Sequence, residues 1–116
     1  TYARIAAKAA VELARAAGEP ASRISAYIGP HIQGDEYQVS ADLLHTFSLR
    51  FDNIVPTAQR MLDLSACIRQ SLEEVGVLSC EIHDPRLSTV RQNDRFYSYR
   101  AEKGTCGRHA AIACIR

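Results

Sequence analysis

Arginine and aromatic side chains are concentrated near the C-terminal end of this 116-residue sequence. Residues 95–100 read Arg-Phe-Tyr-Ser-Tyr-Arg, and residues 105–108 read Thr-Cys-Gly-Arg. Aromatic faces beside guanidinium groups can hold a planar or anionic ligand. The same residues can equally form a structural tie, in which arginines bond carbonyl groups and tyrosines fill a core. Residue chemistry alone leaves both interpretations open.

Cysteine and histidine offer the other candidates for chemistry. Cys80 and His83 have a spacing that could share an ion, but no second pair follows at zinc-site spacing, so the sequence predicts no self-contained metal site. Cys106 is the best candidate nucleophile, because the neighbouring Arg108 favours a thiolate and His109 follows. A plain strand-edge cysteine is the alternative. We expect four reduced thiols, although an even count leaves disulfides possible: Cys67, Cys80, Cys106 and Cys114.

Composition narrows the class of protein. A hydrophobic fraction of 47% is enough for a buried core, and a net charge of +1 does not suggest a partner that is nucleic acid or a membrane surface. No apolar run could cross a bilayer and no secretory segment occurs, so we expect a cytoplasmic protein. The sequence begins at Thr1, directly before a helical pattern, and this favours a cut or processed piece.

Three helices are predicted from spacing and end signals. The first covers residues 2–17 and ends at Gly18, the second begins after the N-cap Ser40, and the third covers residues 63–75. His45, in the second helix, is interpreted as a surface or satisfied histidine. The 3–4 spacing predicts these buried positions: Ile5, Ala9, Leu13 and Ala16; Leu43, Leu44, Phe47 and Phe51; Leu64, Ile68, Leu72 and Val75.

Short extended segments alternate with these helices. Strands are predicted at residues 24–28, 77–82 and 110–115, the last apolar on both faces and therefore fully buried. Gly29-Pro30 after the first strand is either a plain turn or a point where a ligand approaches the backbone closely. The fold class that follows is α/β of the α+β type, with mixed sheets and flanking helices in a layered sandwich.

Several motifs, in order, resemble one known family. Residues 28–32 (Ile-Gly-Pro-His-Ile), 37–39 (Tyr-Gln-Val) and then Phe51 resemble the "IGP-x-I…YEV…F" block of the laccase-domain, YfiH-like proteins. These are also called the purine nucleoside phosphorylase family of multicopper polyphenol oxidoreductases. Residues 96–100 and 105–108 resemble its C-terminal "F-[FY]-S-[YF]-R…TGR" signature, with one inserted residue. The resemblance covers nearly the whole chain.

The sequence departs from this family pattern at two positions. The family commonly has a cysteine shortly before the Tyr-Glu-Val block, where this chain has residues 34–36, Gly-Asp-Glu. It also commonly has Cys-Thr upstream of the Phe-Tyr-Ser block, where this chain has Ser88-Thr89. Family members are about twice as long, and their zinc ligands, two His and one Cys, lie in an N-terminal half. No histidine or cysteine here matches those ligands.

The resemblance implies an α/β/β/α sandwich, of which residues 1–116 are the C-terminal half. It implies a zinc-dependent purine nucleoside enzyme (copper in older naming) that phosphorolyses adenosine, inosine or methylthioadenosine and deaminates adenosine. This half would lack the metal ligands, be inactive alone, and need the missing N-terminal half or another subunit. Its candidate substrate- or phosphate-binding residues are Arg100, Arg108, Ser98, Tyr99, Gly29 and Pro30, with catalytic residues unassigned.

Two other functions stay open. A family-derived piece could be a non-catalytic structural or partner-binding module, which the missing ligand half and the altered cysteine positions favour. The same scaffold could also carry a cysteine-type amidase that edits cell-wall precursors, with Cys106 as its nucleophile.

Overall fold

Three helices and a two-stranded sheet make up a computed structural model that describes residues 1–108 and 110. In chain order they are α1 (Ile5–Ala17), β1 (Ala26–Tyr27), α2 (Ala41–Ser48), α3 (Leu64–Glu73) and β2 (Ile82–His83), with 3₁₀ turns at Ala21–Arg23 and Ser79–Glu81. This content agrees with the α+β class. The predicted strand at 110–115 lies outside the described residues, apart from its first position.

Local end signals place the helices well. Gly18 adopts the left-handed conformation (φ 66°) that ends α1, and the Ser40 hydroxyl accepts a hydrogen bond from Leu43 N at 3.2 Å. The Asp63 carboxylate accepts from Ala66 N at 2.9 Å and caps α3. α1 begins three residues later than predicted, because Arg4 is left-handed at φ 55° and cannot continue a helix toward the N-terminus.

The predicted buried face of α1 is wrong. Ile5 and Leu13 are 62% and 57% exposed, whereas Ala7 and Ala10 are buried. α1 packs on α3 through its alanines, which allow two helices to approach closely, and Ala10 joins Leu72 in one hydrophobic cluster. The helix therefore carries a second apolar side that no described residue covers.

The sheet is shorter than predicted. β1 pairs in parallel with β2, Ala26 opposite Ile82 and Tyr27 opposite His83. The strand prediction for 77–82 is wrong over most of its length, because a 3₁₀ turn closes there: Glu81 N donates to Leu78 O at 2.9 Å. The prediction for 24–28 is confirmed only at its centre.

The main core lies around Phe51, which is fully buried. It stacks on Phe47, with ring centroids 5.8 Å apart, as their helical spacing predicts. Leu43, predicted to be buried, is 37% exposed. The other buried members of this core are Val39, Leu44, Ile54, Leu62 and Cys67. Among the described residues, no helix has the length and apolar character needed to cross a membrane.

Candidate functional site

Two loops distant in sequence meet beside the Phe51 core. His31 N donates to Leu87 O at 3.0 Å, and Thr89 N donates to His31 O at 3.1 Å, so the loops run parallel like strands. Neither loop has the regular alternation of a strand, and sequence spacing therefore did not predict this pairing.

A largely buried carboxylate, that of Glu36, holds the two loops together. Ser88 Oγ lies 2.7 and 2.8 Å from the Glu36 carboxylate oxygens and donates to them, while Gln33 N donates from 3.0 Å. Arg91 Nε adds an ion pair at 3.0 Å, and the Glu36 side chain is only 9% exposed. Ser88 Oγ in turn accepts from Arg91 N at 2.9 Å. The two departures from the family pattern are therefore direct contact partners.

The carboxylate of the preceding residue, Asp35, is exposed. Asp35 pairs with the Arg91 guanidinium, and this hydrogen bond is the main reason that the pKa of Asp35 lies below its ordinary value. Solvent screens an exposed ion pair of this kind, so the Asp35–Arg91 pair contributes little to holding the two loops together.

His31 is held in one orientation between these loops. Gln33 Nε2 lies 3.3 Å from both His31 O and His31 Nε2. A carbonyl oxygen can only accept, so the Gln33 amide group donates and His31 Nε2 accepts. His31 Nδ1, 3.0 Å from Gly29 O, must then carry the proton. The imidazole ring is thus fixed as the Nδ1–H tautomer.

The meeting loops bound a cleft of about 460 Å³. That volume falls within the range of small-molecule sites, about 300–1,000 Å³. The cleft brings together four of the six predicted site residues, which come from chain segments about 70 positions apart. Its walls are Pro30, His31, Ile32, Tyr37, Leu64, Thr89, Tyr97, Ser98, Tyr99 and Arg100.

Ser98 anchors a tight turn on one side of the cleft. It is buried, its hydroxyl oxygen accepts from Ala101 N at 3.2 Å, and Ser98 N donates to Glu102 Oε1 at 2.8 Å. Asn93 Nδ2 also donates to Glu102 Oε1, at 2.8 Å. The backbone hydrogen bond first, and the amide second, lower the pKa of Glu102 below its ordinary value.

Arg100 is partly used as a structural tie, one of the two interpretations that the sequence left open. Its Nη1 donates to Gln38 O at 3.1 Å, and its Cζ lies 5.1 Å from the centre of the Tyr37 ring. The guanidinium thus links the C-terminal turn to the Tyr-Gln-Val segment while it lines the cleft.

Arg108 and Gly29 do not line the cleft. Arg108 Nη1 contacts Gly107 O at 3.1 Å and Cys106 Sγ at 3.6 Å, in a neighbouring hollow of about 380 Å³. Gly29 contributes its carbonyl to His31, and a Cβ at Gly29 would meet nothing within 4 Å, so no close approach requires glycine there. The histidine predicted beside Cys106, His109, lies outside the described residues.

Six of the ten residues that line the cleft were not predicted as site residues: His31, Ile32, Tyr37, Leu64, Thr89 and Tyr97. His31 occupies the variable position of the resemblance motif, and Tyr37 begins the Tyr-Gln-Val segment. Both residues belong to motifs that resemble the family, and this membership could have identified them as site residues. A larger groove of about 530 Å³ between α1 and α3 contains none of the predicted site residues.

The described residues do not group three potential metal ligands. Residues 1–108 and 110 contain no cluster of three or more His, Cys, Asp or Glu side chains that could hold an ion. Cys80 is exposed, and His83 instead stacks on Tyr27 with ring centroids 4.8 Å apart. Cys67 and Cys106 are also free thiols. Burial, and secondarily Asp63, raises the pKa of the Cys67 thiol to about 11, which suits a core residue.

Comparison with known proteins gives one family. The family described as multi-copper polyphenol oxidoreductase laccase matches residues 1–116, which include the cleft and the Glu36–Ser88 contact. No curated protein and no solved structure matches the chain. Because this match covers every residue, the chain belongs to the multi-copper polyphenol oxidoreductase laccase family.

Proposed function

We propose that the chain forms one wall of a purine nucleoside site in an enzyme that phosphorolyses purine nucleosides and deaminates adenosine. The observation that carries this proposal is the cleft, where Pro30, Ser98 and Tyr99 meet beside Arg100. Mixed apolar, hydroxyl and cationic groups suit a flat base attached to a polar sugar. The motif resemblance implies the same substrate class, and the family match confirms the resemblance.

The chain's own contribution is binding and positioning. The family name refers to copper, and the resemblance implies zinc, but the described residues do not fit either ion because they contain no cluster of three ligands. Ser98 and its capped turn fix the wall, and Arg100 places positive charge at the cleft, where a polar or anionic part of the substrate would be bound.

We further propose that residues 1–116 are an incomplete α/β/β/α sandwich, completed by an N-terminal half or another subunit. A parallel sheet is normally covered on both faces, yet Tyr27 of β1 is 78% exposed. Ile5 and Leu13 leave a second apolar surface on α1. An isolated chain 1–116 that is a monodisperse and fully soluble monomer would contradict the proposal that an N-terminal half or another subunit covers this surface.

The test is an activity assay on the protein that contains this chain, purified with its metal content measured. We expect adenosine to be converted to inosine, or adenine to be released when phosphate is present. The isolated chain 1–116 should do neither. A metal-loaded protein that catalyses neither reaction would contradict the proposal.

A non-catalytic, partner-binding module is the second candidate. The uncovered side of α1 favours it, because an exposed apolar helix face suits a protein partner. A metal-loaded protein that binds a partner chain through α1 and leaves adenosine unchanged would support this alternative. The amidase alternative depends on Cys106 instead, and activity that survives Cys106→Ala would eliminate it.

A further inference from the structure

Two tyrosines separate the cleft from the neighbouring hollow. Tyr97 and Tyr99 line both the 460 Å³ cleft and the 380 Å³ hollow beside Arg108. They are 53% and 68% exposed, so a large part of each side chain is accessible in the described structure. Each ring is therefore a shared wall that a ligand can reach.

A glycine packs against each of these rings. A Cβ added at Gly107 would lie 2.6 Å from Cζ of Tyr97, and a Cβ at Gly104 would lie 3.3 Å from Cζ of Tyr99. Non-bonded carbon atoms do not approach this closely, so any side chain at position 107 would force the Tyr97 ring to move. Gly104 also has φ 90°, which favours glycine. The two rings are supported by main chain, which covers less of them than side chains would.

The backbone that carries the rings is already ordered. Ser98 lies between the two tyrosines, is 4% exposed, and is hydrogen-bonded through both its hydroxyl and its N–H group. Gly104 N donates to Tyr99 O at 2.9 Å and closes the turn. A ligand that stacks on these rings would have little backbone ordering to impose, which favours binding.

We infer that Tyr97 and Tyr99 form the surface on which the base of the nucleoside stacks, an inference that rests on the proposed function. Flat aromatic bases are bound by accessible aromatic faces, and stacking tolerates different bases because each has a π face. The ligand class is therefore a purine base attached to ribose, with the sugar directed toward the Arg100 guanidinium group.

Binding of inosine without phosphate tests the inference in the protein that contains this chain. Inosine is the product of deamination, and phosphorolysis needs phosphate, so it serves as a non-reacting probe. We expect Tyr99→Leu to weaken inosine binding about tenfold, and Tyr99→Phe to keep it, because stacking on an aromatic side chain typically contributes this much. Val55→Ala is the control, since Val55 is 70% exposed and lies outside the cleft.

NMR signals of the tyrosine rings give a second measurement, which does not require the Tyr99→Leu variant to fold. In tyrosine-labelled protein, inosine should shift the ring signals of Tyr97 and Tyr99 upfield, and ribose should not. Unshifted tyrosine signals together with full binding by Tyr99→Leu would overturn the stacking surface and leave the proposed function standing. If the unaltered protein binds no inosine, the proposed function and the stacking surface both fail.

Discussion

The Glu36→Ala substitution should destabilise the protein more than any other single carboxylate removal in the two cleft loops. Glu36 is 9% exposed on its side chain, and its two buried donors, Ser88 Oγ and Gln33 N, lie 2.7–3.0 Å away. A hydrogen bond to a charged group contributes about 1.5–3 kcal/mol. Loss of both therefore lowers the free energy of unfolding by about 3–6 kcal/mol, which overlaps the range of about 3–5 kcal/mol measured for broken buried pairs.

The matched control is Asp35→Ala, which removes the adjacent carboxylate from the same arginine. Asp35 is 66% exposed and pairs only with Arg91 in the contacts of the described residues, so water replaces most of what it loses. Urea unfolding of both variants measures the difference, and the double variant Glu36→Ala/Ser88→Ala measures the coupling between its two members. We expect the loss of stability in the double variant to be smaller than the sum of the two single losses, because the Glu36–Ser88 hydrogen bond is lost only once.

The reasoning is refuted if Glu36→Ala unfolds at the same urea concentration as Asp35→Ala. It is also refuted if the effects of Glu36→Ala and Ser88→Ala simply add, because partners in one hydrogen bond should not be additive. The loops that this carboxylate joins also carry His31 and Thr89 into the cleft. Glu36→Ala should therefore weaken inosine binding as well, at temperatures where the variant is still folded.

Three further predictions test the rest of the structure. Native Cys67 should react with iodoacetamide at least about a hundredfold more slowly than an exposed cysteine, because burial raises its pKa from 9.0 to about 11. Equal rates of labelling of the two cysteines in native protein would contradict this prediction. Glu102 has a folded-state pKa below its ordinary 4.5, so its stabilisation is complete above that pH and is lost as the pH falls through the folded value. The difference in urea midpoint between wild type and Glu102→Gln should therefore shrink from pH 6 to about pH 3; a constant difference would argue against it. Gly34→Ala should cost about 1–3 kcal/mol, because its Cβ would lie 2.7 Å from Asp63 Cβ, while Gly29→Ala, with open space, should leave thermal stability unchanged; similar melting temperatures would exclude the clash.

The sequence by itself determined the features that depend on near neighbours. Gly18, Ser40 and Asp63 act on backbone groups within a few residues, and the helix ends that they predict are confirmed or moved by only a few positions. The motifs around Pro30 and Tyr99 also predicted the family, because motif order can be read without any knowledge of packing.

Only the tertiary structure decided which surfaces meet. The periodicity of α1 gives several apolar positions, and the choice of Ala10 over Leu13 for burial depends on how closely α3 approaches. Short strands fail for a similar reason: β1 exists because β2 pairs with it across more than 50 residues. The Glu36–Ser88 hydrogen bond likewise joins loops 52 positions apart. Such contacts depend on three-dimensional proximity, which spacing along one segment does not encode.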